Sequence, residues 1–152
     1  MNRSFAAAAL ACGLLLTAPA AYAQDGPGRG ERGKPAVDAI RGCSGAGCDG
    51  ADPVKLHCSD DARTVYRYST SLGRLELRHS PGCGASWARI TGAEEGTWFY
   101  VQTCNGRYAQ AYRVPRGYTD AYTDMVPGSS GIRVGNLAGH SRCRGPEDSV
   151  HG

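Results

Sequence analysis

The chain has 152 residues with a formal charge of +3, and glycine (22) and proline (8) fill about a fifth of it. That share is well above the roughly 12% of average proteins and argues against long helices. The near-balanced charge lacks the basic stripe of a nucleic-acid binder, and no apolar run reaches the ~18 residues of a membrane-spanning helix.

Residues 1–23 read as a secretory signal. Arg3 charges the start, Phe5 to Leu16 is apolar, and Ala21-Tyr22-Ala23 offers a small-x-small cleavage site before Gln24. Cys12 sits inside the apolar run, out of register for a lipid-anchored cysteine, so a released, extracellular protein cleaved after Ala23 is expected. Residues 24–42 form a flexible leader rich in Gly, Pro and charge, with almost nothing to bury. A β domain is expected over 43–143, followed by a flexible tail, 144–152.

Once the signal is removed, six cysteines remain: Cys43, Cys48, Cys58, Cys83, Cys104 and Cys143. An even set in a small exported domain implies a disulfide framework, with 15 possible connectivities that sequence leaves open. Each bridge stabilises such a domain by about 2–4 kcal/mol. No CxxC pair occurs, and His57 beside Cys58 stands alone as a further ligand, so no metal site and no cofactor are expected.

Within the domain the hydrophobic period is two. Residues 43–58 hold three cysteines and several glycines and read as a stapled loop. Thr64–Ser69 alternates as a strand, with Thr64, Tyr66 and Tyr68 against Val65 and Arg67. A turn leads into Arg74–His79, where Leu75 and Leu77 oppose Glu76 and Arg78. Pro81-Gly82 breaks that strand, and a third begins near Ser86. The clearest local signal is the hairpin of Thr97–Cys104 and Arg107–Val114 around Asn105-Gly106, the pair that accepts a type I′ turn. A two-residue loop sets Thr103 opposite Tyr108 and Trp98 opposite Arg113. One face collects Phe99, Val101, Tyr108, Tyr112 and Val114 as core. The other collects Trp98, Tyr100, Gln102, Cys104, Arg107 and Arg113. Weaker strands follow at Ala121–Val126 and Ile132–Leu137. About six or seven short strands predict a mostly β fold, a small disulfide-stapled antiparallel sandwich or barrel.

Four stretches stand out: Cys43 to Pro53 (CSGAGCDGADP), Cys58 to Thr64 (CSDDART), Leu75 to Ile90 (LELRHSPGCGASWARI) and Tyr122 to Val126 (YTDMV). Together they resemble the YjfA-like family, small exported proteins of Gram-positive bacteria built on a domain of unknown function. His79 stands where the family usually has tyrosine, and Cys104 lies in a variable stretch. The resemblance implies an exported, disulfide-stapled β domain with no established activity or catalytic residues. A bridge from Cys104 to Cys143 would tie the end of the domain to the hairpin.

No catalytic motif such as GxSxG or HExxH is present, and His57, His79, His140 and His151 sit in no recognisable setting. Adjacent Asp60-Asp61 and Glu94-Glu95 point to opposite faces if extended. Asp49 and Asp52 lack EF-hand spacing and read as turn residues. A tryptophan at position 87, four residues after Cys83, reads as packed on a disulfide. A binding surface is better supported: Trp98, Tyr100, Arg107 and Arg113 would combine aromatic area with fixed positive charge. The expected function is a secreted, non-catalytic, monomeric domain that binds a cell-wall polymer, a glycan or an extracellular protein. A protease inhibitor presenting Ser80-Pro81-Gly82-Cys83, or a small hydrolase, are the alternatives.

Overall fold

The computed structural model describes residues 42–128 and 131–145. The expected signal segment, the leader up to residue 41 and the tail beyond Gly145 lie outside the described residues. After a short 3-10 turn at Gly45–Cys48 come nine strands: β1 (Arg63–Thr70), β2 (Gly73–Ser80), β3 (Ala85–Thr91), β4 (Trp98–Thr103), β5 (Ala109–Arg113), β6 (Asp120–Tyr122), β7 (Val126–Pro127), β8 (Ile132–Asn136) and β9 (Gly139–His140). They form two antiparallel sheets. The first runs β1-β2-β3-β6 with β7 also on β3, and the second runs β5-β4-β8-β9.

The fold is a disulfide-stapled β-sandwich rather than a barrel. Alternation supplies its interior: Leu75, Leu77, Ala88 and Ile90 of the first sheet meet Phe99, Val101, Ile132 and Val134 of the second. β3 is buried on both faces. Its even residues enter the sandwich, while Ala85 and Trp87 enter a second core with Cys48, Cys58, Cys83 and Met125. The cysteine-rich segment therefore lies over the outer face of the first sheet. Backbone bonds from Gly45 N–H to Cys83 C=O (2.8 Å) and from Met125 N–H to Ala51 C=O (2.9 Å) hold it there. Trp87 packs against the disulfides, as its spacing from Cys83 predicts.

The bridges are Cys43–Cys48, Cys58–Cys83 and Cys104–Cys143. The first closes the short loop, and the second fastens the segment to the β2–β3 turn. The third ties the β4–β5 turn to the end of the domain. Farther along the outer face of the first sheet, Arg67, Glu76 and Arg89 stand in one cross-strand row. The Glu76 carboxylate accepts from Arg67 at 3.2 Å and lies 3.8 Å from Arg89. The two arginine stems cover Glu76, which is why a carboxylate on a solvent face is buried here.

Several local expectations need correction. In β1 the register shifts at Val65, and this bulge breaks the alternation: Val65, Tyr66 and Tyr68 all pack on the main core. The single strand expected over Ala121–Val126 is two, because the Thr123 hydroxyl replaces a ladder acceptor and takes the Ala88 N–H at 3.1 Å. The expected strand Ile132–Leu137 ends at Asn136, and Leu137 enters a tight turn into β9. The hairpin register is as predicted, with Trp98 opposite Arg113 and Gln102 opposite Ala109. Its turn is not type I′. Gly106 N–H donates to Thr103 C=O at 2.8 Å, and in the turn only Gly106 has positive φ (72°). Cys104 is drawn toward β8, since its N–H donates to Gly131 C=O (2.8 Å) and its sulfur is bridged to Cys143.

Candidate functional site

The outer face of the second sheet is built from alternate residues of three strands. β4 supplies Trp98, Tyr100 and Gln102. In register, β5 supplies Arg113, Ala111 and Ala109, and β8 supplies Gly135 opposite Tyr100 and Arg133 opposite Gln102. The small neighbours decide the shape. Tyr100 has Ala111 on one side and Gly135 on the other, so its ring lies over the β8 backbone. A Cβ on Gly135 would come within 2.6 Å of Tyr100 Oη and 2.7 Å of its Cε1. Trp98 and Tyr100 thus form one half-buried aromatic platform, with ring centroids 5.3 Å apart and planes tilted by 36°.

Two shallow troughs share Trp98. One, of about 390 Å³, runs over Tyr100 and is floored by Ala109 and Ala111, with the Gln102 and Gln110 amides at its rim. The other, of about 410 Å³, lies between Trp98, Arg113, Leu72 and Leu137. Leu137, 81% exposed, and Leu72 leave apolar surface beside Trp98. The Gln102 amide is held in place: its Oε1 accepts from Arg133 Nη2 at 2.7 Å and from Nε at 3.2 Å. This surface stacks flat rings and offers oriented amides, and the exposed His140 of β9 stands beside it, opposite Gly135.

Of the four predicted site residues, the structure brings together three. Trp98 and Tyr100 are in contact, and Arg113 lines the second trough with its guanidinium 3.4 Å from Gly96 C=O. Arg107 does not join them. It lies in the β4–β5 turn and places its guanidinium over the Tyr108 ring, 5.3 Å from the centroid. Tyr112, expected in the core, is 48% exposed and meets only the edge of Phe99, with centroids 6.5 Å apart. β5 is the edge of its sheet and the three-residue β6 does not extend over it, so the Tyr112 ring closes the end of the core instead of filling it. Leu137, Gly135 and the amide rim carry no local sequence signal, since only the non-local pairing of β4 with β8 assembles them.

Of the other candidates, His151 lies outside the described residues. His79 Nδ1 and Ser86 Oγ lie 2.9 Å apart inside the sandwich, both buried and out of reach of a substrate. His57 is exposed beside Asp60, with Nδ1 to Oδ2 at 3.4 Å, and Cys58 is committed to Cys83. Asp52 Oδ1 accepts from the Val54 and Lys55 N–H groups, an Asx turn, and Asp49 accepts from the Gln110 side chain. The Ser80–Cys83 segment is a tight, braced turn. Asp61 accepts from Ser80 Oγ (2.5 Å) and Gly82 N–H (2.9 Å), and Ser80 and Cys83 are fully buried.

No curated protein and no solved structure matches the chain. The family model described as protein of unknown function (DUF2690) matches residues 46–134, more than half of the chain, which therefore belongs to that family. The match spans the cysteine-rich segment and both sheets from β1 into β8.

Proposed function

We propose, for this member of a family without an assigned function, that the domain is exported with its signal removed after Ala23. Outside the cell it binds a glycan chain of the cell envelope on the outer face of the second sheet. Three disulfides in so small a domain are consistent with an extracellular setting. One observation carries the ligand class: Trp98 and Tyr100 stand side by side on β4 while Ala109, Ala111 and Gly135 leave their surfaces bare. A pyranose presents a flat C–H face that stacks on such rings, while its hydroxyls reach outward to amides and charges at the rim. Gln102, Gln110 and Arg113 occupy that rim. The resemblance to YjfA-like proteins directs the search to polymers of Gram-positive walls. No covalent step is involved, and retention of the polymer is the whole activity.

Retention on purified cell walls and on a glycan array tests the reading. The wild-type protein is expected to bind and Trp98→Ala to lose binding, while Arg107→Ala, outside the platform, keeps it. A wild-type protein that no wall or glycan retains, or a Trp98→Ala protein retained as well as wild type, overturns it.

A further inference from the structure

β5 and β6 are edges of different sheets, and the segment 114–119 joins them. Between them lies a cleft of about 300 Å³ on which the glycan reading makes no demand. Its walls are three tyrosines from three elements: Tyr112 of β5, Tyr118 of the connection and Tyr122 of β6, respectively 48%, 61% and 39% exposed. Pro115 and Ala121 add apolar surface. The polar lining beyond the tyrosine hydroxyls is three carboxylates: Asp52 from the cysteine-rich segment, Asp120 and Asp124.

The donor inventory narrows the occupant. The lining has no Arg, Lys, Asn or Gln, so apart from the three phenols it offers acceptors and aromatic faces. Asp120 and Asp124 make no side-chain hydrogen bond or ion pair with another described residue, and one Asp52 oxygen is taken by its own turn. Such a cleft suits a ligand that is cationic at its tip and apolar along its stem, because rings and carboxylates both attract an ammonium.

We infer that the Tyr112–Tyr118–Tyr122 cleft binds the alkylammonium side chain of a lysine-type residue presented by a peptide, with the stem along the tyrosines and the ammonium among Asp52, Asp120 and Asp124. An amino sugar shares the charge but carries it on a rigid ring without an extended apolar stem, so glucosamine is the competing ligand in the test. Two titrating groups bear on the site. Burial and then the Asp52 charge raise the Asp124 carboxyl above the usual aspartate range, against a smaller lowering by Lys55. Burial, followed by Asp52, Tyr112 and Asp124, raises the Tyr122 phenol. In both, burial is the larger cause and the neighbouring Asp52 charge adds to it, and a bound cation opposes both.

An NMR titration of the full, disulfide-intact chain with Nα-acetyl-lysine methylamide tests this. Saturable shifts are expected in the ring signals of Tyr112, Tyr118 and Tyr122, and none with the norleucine analogue, which keeps the stem and lacks the charge. Tyr118→Ala and Asp124→Asn, both at exposed positions, should each weaken binding about two- to fivefold. Binding should weaken by about the same two- to fivefold on acidification at a pH above the ordinary aspartate range, as Asp124 protonates. Trp98→Ala should leave it unchanged, which separates this site from the glycan platform. Equal shifts with norleucine, no saturable shift with the lysine amide, or binding of glucosamine in its place would overturn the assignment.

Discussion

Removing the Cys58–Cys83 bridge with the double substitution Cys58→Ala/Cys83→Ala should be the most damaging loss of any of the three. The bridges close loops of 5, 25 and 39 residues for Cys43–Cys48, Cys58–Cys83 and Cys104–Cys143. Loop-closure entropy alone then gives about 2, 3.5 and 4 kcal/mol in that order. Packing reverses the last two. Cys58 and Cys83 are fully buried against Trp87 and Met125, whereas Cys104 and Cys143 are exposed. Replacing the buried pair with alanine also opens a void beside Trp87, adding about 1 kcal/mol or more and placing its loss at about 4.5–5 kcal/mol. Urea denaturation of the three double-alanine proteins, followed by circular dichroism, measures the order. If losing Cys104–Cys143 costs the most, chain entropy alone governs and the second core contributes little. If all three lose less than about 1 kcal/mol, the stapling argument itself fails.

Further outcomes follow from single residues. Gly135→Ala drives a methyl into Tyr100 and should cost about 1–3 kcal/mol in thermal unfolding while lowering glycan retention; an unchanged melting temperature would refute the platform geometry. Glu76→Ala leaves Arg67 and Arg89 facing each other, and because both arginines are half-exposed the loss should be only about 1 kcal/mol and should shrink in high salt. A loss that salt does not change would refute the ionic account of that row. For Asp124 the folded-state pKa is raised, so its contribution to stability is fully present below about 3.8 and is lost as pH rises through the higher folded value. Asp124→Asn should therefore raise the urea midpoint at pH 7 and leave it unchanged at pH 3; no gain at pH 7 would contradict the cost of holding this carboxylate charged, partly buried and beside Asp52.

The parts of the fold that local pattern specifies were legible in the sequence. Alternation in Leu75–Leu77 and Phe99–Val101 gave strands and faces, and the short Asn105-Gly106 connection gave the hairpin register to the residue. What depends on distant partners was not legible. The Val65 bulge, the Thr123 interruption and the two-residue β9 are answers to neighbours in space. The exposure of Tyr112 depends on where β6 ends, which no periodicity in 109–113 records. The cysteine pairing is a combinatorial choice that local sequence does not encode. Half of the platform was visible as Trp98 and Tyr100, but what bares their rings is the pairing with Gly135 and the two alanines. The cleft was invisible because Asp52 and Tyr112 are sixty residues apart, and they read separately as a turn residue and a core residue, with Tyr122 and Asp124 in one strand.

The most direct test of the glycan reading uses the protein's own fluorescence. Trp87 is buried and Trp98 is half-exposed, so acrylamide quenching reports chiefly on Trp98. Soluble wall glycan fragments are predicted to protect this tryptophan from quenching in a saturable way. Bound fragments that leave the quenching unchanged would place the ligand elsewhere and contradict the account.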